Sequence, residues 1–107
     1  VEVSGLYYVQ SGNGSTWRVP RSYLKPNEAK QAAIKIFNGY EDLLLRYDKV
    51  GHTNLKEVCR QIDGINADAG YLGENSDWSN SSRDRPMEWS CDVGWGVHLT
   101  VRIWKAS

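Results

Sequence analysis

The chain has 107 residues, with 13 basic and 13 acidic side chains and no net charge at pH 7. A chain of that length forms one domain, residues 1–107, around a single core. The charge balance leaves no global field to gather nucleic acid or an anionic membrane, so no nucleic-acid partner is expected, and no apolar run reaches membrane-spanning length.

Val3 to Gln10 includes Leu6, Tyr7, Tyr8 and Val9, residues suited to a pleated, half-buried surface, and Thr16 to Val19 resumes the pattern around Trp17. Ser11-Gly12-Asn13-Gly14 lies between them and supplies the residues a tight turn needs, so a β-hairpin ending at Pro20 is expected. Arg18, Arg21 and Lys25 near Tyr23 form a small basic patch with an aromatic, suited to a phosphate or an acidic partner.

Pro26 stands where proline starts a helix, and Glu28 follows near the positive end of its dipole. Ala29, Ala33, Ile36, Tyr40, Leu43 and Leu44 recur at helical spacing on one face. Asn38-Gly39 is the weak point: the glycine either permits close packing on a sheet or breaks the helix. After Gly51 and His52, Asn54-Leu55-Lys56-Glu57 has the form of a capping box. Leu55, Val58, Cys59, Ile62, Ile65 and Ala69 form the apolar stripe of a second helix running to Gly70.

Gly73 to Pro86 lacks periodicity and is rich in turn formers, which marks a long loop of the kind that carries function. Trp78 sits in it between Asp77 and Ser79, away from any stripe, and is expected to be an exposed contact residue together with Asp77, Arg83 and Arg85. Asn75, Asp77, Asn80 and Asp84 lack the ligand order of a calcium loop, and neither the two histidines nor the two cysteines have zinc spacing, so no metal or other cofactor is expected. Met87 to Ser90 reads as a short strand. Trp95, between Gly94 and Gly96, is expected to stand exposed on a turn as a second contact residue.

Val93 to Trp104 holds the clearest strand: Val97, Leu99, Val101 and Ile103 share one parity, while His98, Thr100, Arg102 and Trp104 share the other. The elements together predict an α+β fold, a two-layer sandwich of about four antiparallel strands with two helices on one face, in the order ββααββ. Cys59 and Cys91 are expected to form one disulfide. It would fasten the inner face of the second helix to the entrance of the last strand and stabilise the fold by about 3 to 4 kcal/mol. Asn13-Gly14-Ser15 and Asn80-Ser81-Ser82 are glycosylation sequons. With the cysteine pair they predict a secreted, extracellular protein whose Val1 is a processed terminus.

A His, an Arg and a carboxylate on one sheet face can serve as acid, phosphate clamp and base, so His98 and Arg102 with Glu88 make a small secreted nuclease or other hydrolase one reading. There is no G-x-S-x-G elbow for nucleophilic hydrolysis. Five tryptophans and six tyrosines exceed what one small core needs, and such residues dominate binding hot spots and stack on sugars. In architecture alone, the expected sandwich resembles small secreted α+β proteins such as killer toxins and plant-pathogen effectors. The leading expectation is a non-enzymatic binding protein of toxin or effector type that contacts a host or target-cell protein or glycan. A carbohydrate-binding module using exposed tryptophans is the third reading.

Overall fold

The computed structural model describes residues 2–47, 55–68, 78–92 and 98–107. Its elements are β1 (Tyr7–Gly12), β2 (Arg21–Tyr23), α1 (Pro26–Tyr47), α2 (Leu55–Asp68), β3 (Met87–Asp92) and β4 (His98–Lys105). The strands form one antiparallel sheet in the order β2-β1-β4-β3. The fold is α+β, with α1 against β1, β4 and β2, and α2 against β3. Trp17 adds an isolated bridge to Gly12, so a single-residue β segment stands between β1 and β2 ahead of the helices. The hairpin's second full strand lies beyond Pro20 rather than before it, because Arg21 to Tyr23 are the residues in register with Val9 to Tyr7.

Strand β4 is central because its alternation serves two surfaces. Leu99, Val101 and Ile103 face the helices and enter the main core with Val9, Phe37, Val58 and Ile65. The opposite parity is less polar in place than in sequence. Trp104 is fully buried on the helix-free face, where its ring stacks on Tyr8 with centroids 5.7 Å apart and its Nε1 donates to Glu2 at 3.0 Å. Leu6 and Ala106 complete this small second cluster. A stacked pair of this kind adds about 1 kcal/mol beyond the area it buries.

Helix α1 buries Ala29, Ala33, Phe37 and Leu44, a path of two i+4 steps and one i+7 step that includes Phe37 and turns Leu43 outward. Gly39 neither breaks the helix nor packs on the sheet: it faces solvent, and a Cβ placed there would meet nothing within 4 Å. Glycine thus costs helix stability with no packing return.

The expected disulfide is not formed; both cysteines are free. The buried stripe of α2 runs through Val58, Gln61, Ile62 and Ile65. Cys59 follows Val58 by about 100° around the helix axis. It is exposed beside α1, its Sγ 3.7 Å from Glu41 Oε1. Cys91 lies buried in β3 and belongs to the main core. Burial, then the nearby Glu57 and Asp92 carboxylates, push its thiol up to about 11. Desolvation, followed by the Glu41 carboxylate, raises Cys59 as well.

Three outcomes are expected. Gly39→Ala raises the free energy of unfolding in urea by about 1 kcal/mol; a loss of stability would mean that the helix does not run through this position. Native protein exposes one fast-reacting thiol to a disulfide reagent, absent in Cys59→Ala, and the second only on unfolding. Because the Cys91 pKa rises from 9.0 to about 11 on folding, the stability it contributes is present below pH 9 and is lost as pH climbs through 11. The alkaline limb of a stability profile therefore flattens in Cys91→Ala.

Candidate functional site

The polypeptide between β1 and β2 builds one wall of a concave surface. Asn13 starts a tight reversal: its Oδ1 accepts from the Ser15 and Thr16 amides at 2.9 and 2.7 Å, its own amide donates to the Thr16 carbonyl at 3.1 Å, and Gly14 takes a φ of 92°. The chain then returns along β1, with the Arg18 amide donating to the Ser11 carbonyl at 2.9 Å and Gln10 Nε2 to the Arg18 carbonyl at 2.9 Å. Gly12 makes this return possible. A Cβ there would lie 2.5 Å from the Thr16 carbonyl oxygen and 2.6 Å from the Trp17 ring. The indole occupies the space a side chain would need, and the Arg102 guanidinium lies 3.6 Å from its ring centroid. Arg102 Nε donates in turn to Glu88 at 2.6 Å, giving a Trp17, Arg102, Glu88 row across β1, β4 and β3.

On the helix side of this strip opens a cleft of about 960 Å³. It exists because α1 crosses β1 and β4 and leaves the edge strand β2 incompletely covered. Val9, Ala32 and Ile36 supply apolar lining, Trp17 and Tyr23 aromatic walls, and Arg18, Arg21 and Lys35 cationic groups against the single carboxylate of Glu28. Val19 is 86% exposed at its mouth. Such a cleft has the size of a ligand-binding site, apolar within and cationic at its rim.

Of the expected basic patch, Arg18 and Arg21 converge here with Tyr23, while Lys25 lies outside the lining. The contributions of Lys35, Trp17 and the apolar floor need the docking of α1 against the hairpin and are not visible along the chain. His98, Arg102 and Glu88 lie on one sheet face, with Glu88 opposite Arg102 and Asp92 opposite His98. His98 and Arg102 are four residues apart on a strand, about 13 Å, and the Arg102 guanidinium is engaged by Glu88 and Trp17. The three groups do not converge on one reacting atom.

Trp78 is a core residue, not the exposed contact residue that its polar neighbours suggest. It is 5% exposed and meets Tyr7 edge-on, ring centroids 4.9 Å apart. The polar residues around it turn the chain instead: Ser81 Oγ donates to the Trp78 carbonyl at 2.8 Å and receives the Lys105 amide at 3.2 Å. Asp77 and Trp95 lie outside the described residues. Arg83 and Arg85 are exposed on the turn closed by Ser82, and the sequon residues Asn13 and Asn80 are exposed. Among the described residues no group of three or more metal-ligating side chains comes together, and no helix is long and apolar enough to cross a membrane. Protein-family models, characterised proteins and solved structures give no match to this chain. The chemistry of the cleft therefore carries the functional reading.

Gly12→Ala forces the strip away from the sheet and costs about 1 to 3 kcal/mol in urea unfolding, as overpacking does, with a red shift in tryptophan emission. Unchanged stability and emission would show that Trp17 does not lie against Gly12.

Proposed function

We propose that this chain is a non-enzymatic binding protein that takes an acidic, partly apolar segment of a partner protein into the cleft between α1 and the β1–β2 strip. The observation that carries the reading is the pairing of three cations, Arg18, Arg21 and Lys35, with an apolar floor of Val9, Ala32 and Ile36 in one concavity. Cations alone would suit any anion, and apolar lining alone would suit any hydrophobe; together they select a chain that carries both kinds of side chain. Exposed Val19 and the Trp17 and Tyr23 rings add the residue types that anchor interfaces. Nucleic acid fits less well, because its affinity comes from many phosphate contacts and the chain as a whole is neutral.

Catalysis by His98 and Arg102 ranks below binding because of their separation along β4. Extracellular action of toxin or effector type remains an extension of the proposal supported by the exposed Asn13 and Asn80 sequons and not by the cysteines, which are unpaired.

Selection from a random peptide library should return sequences rich in Asp and Glu with one or two large apolar residues. Their affinity should fall at least about tenfold in Arg21→Glu/Lys35→Glu, from the loss of charge-assisted contacts worth about 1.5 kcal/mol or more, and fall with added salt. Arg85→Glu, outside the cleft, should bind as wild type. A library that yields no enrichment, or peptides indifferent to the double reversal, would contradict the proposal.

A further inference from the structure

A second concavity, of about 510 Å³, opens on the helix-free side of the sheet. The Trp17, Arg18, Val19 strip is common to both cavities, so the second one uses the other side of the same wall. Its remaining lining comes from Glu2, Tyr8, Gln10, Pro20 and Arg83. Tyr8 and Gln10 belong to the parity of β1 that points away from the helices, which places this cavity across the sheet from the basic cleft.

The polar groups around it are held by contacts that leave hydrogen-bonding capacity over. Glu2 Oε1 accepts from Trp104 Nε1 at 3.0 Å and stands 3.9 Å from Arg83, while Oε2 carries no hydrogen bond among the described residues. Gln10 Nε2 is committed to the Arg18 carbonyl at 2.9 Å, which fixes the amide plane and leaves Oε1 as an acceptor. The Tyr8 hydroxyl oxygen accepts the Val3 amide at 2.7 Å and keeps its O–H to donate. Arg18 and Arg83 supply further donors at the rim.

We infer that this cavity is a binding site for a neutral saccharide, distinct from the acidic-segment cleft although the two share the Trp17, Arg18, Val19 wall. Each sugar hydroxyl is both donor and acceptor, and adjacent hydroxyls match the planar, two-pronged carboxylate, amide and guanidinium groups of Glu2, Gln10, Arg18 and Arg83. The C–H faces of a sugar ring pack on aromatic surface, here the half-buried Trp17 ring, with the buried Tyr8 as the base beneath it. Charge selects against the alternatives: a free anion meets the Glu2 carboxylate, and a cation meets two guanidinium groups. The indole and the Tyr8–Trp104 stack hold the aromatic walls in place before a ligand arrives, so little ordering is needed on binding.

The test is a titration of isotopically labelled protein with a panel of neutral mono- and oligosaccharides, followed through the amide and side-chain resonances of Tyr8, Gln10 and Trp17. At least one member of the panel is expected to give saturable shifts confined to this cavity. Affinity should drop about tenfold in Arg83→Ala and also fall in Glu2→Gln, which retains an acceptor for Trp104. Lys35→Glu, on the other face, should bind the sugar as wild type does, and Asp-rich peptides should not compete. An absence of saturable shifts with every neutral sugar, shifts centred elsewhere, or binding unaffected by both variants would overturn the assignment. Because Arg21→Glu/Lys35→Glu tests the cleft and Arg83→Ala tests this cavity, failure here is distinguishable from failure of the peptide site.

Discussion

The contact between Gly12 and Trp17 governs the surface on which the functional reading rests. With no Cβ at Gly12, the indole lies directly against the strand and meets the Arg102 guanidinium at 3.6 Å. A cation over an indole contributes about 0.5 to 1 kcal/mol when exposed and about 2 kcal/mol when desolvated. Here it acts together with the Asn13 turn and the two hydrogen bonds that join Arg18 to β1. Their combined effect is to fold residues 13–20 back over the edge of the sheet instead of leaving them in solvent. One strip thereby becomes a wall shared by two cavities of different chemistry.

The two helices and four strands of the described residues make the rest of this arrangement necessary. Helix α2 serves the β3 side and α1 serves the middle, so the helix-side face of β2 is only partly covered and a cleft remains between them. The opposite sheet face has no helix among the described residues, yet it is not bare: the Tyr8–Trp104 stack, Leu6 and Ala106 bury its centre. This second small core explains why a strand whose outer parity reads as polar tolerates a fully buried tryptophan. It also supplies the firm aromatic base beneath the smaller cavity.

Where local chemistry decides, the sequence was readable. The alternation of Leu99, Val101 and Ile103 announces the central strand, Pro26 and Glu28 announce α1, and Arg18, Arg21 and Tyr23 already stand close along the chain. Where a distant partner decides, it was not. Val58 and Cys59 both fall within the apolar stripe read along the chain, and only contact with the sheet turns Cys59 outward and leaves the thiols unpaired. Trp78 has polar neighbours, which suggest an exposed loop, but its ring is claimed by Tyr7 from the other end of the chain. The hairpin's second strand falls beyond Pro20 because pairing with Tyr7, Tyr8 and Val9 sets the register, not the nearest run of β-formers. Lys35 joins the site only through the placement of α1 against β1 and β2.

The chemistry of Trp17 and Arg102 is open to direct observation in solution. Protons on a side chain stacked over an indole are shifted upfield by its ring current, so the Arg102 Cδ protons should resonate well upfield of their random-coil position in the native protein and return to it in Trp17→Leu. Random-coil shifts for Arg102 in the folded wild type would mean that the indole does not lie on the sheet, and the shared wall, with both cavities it divides, would have no physical support.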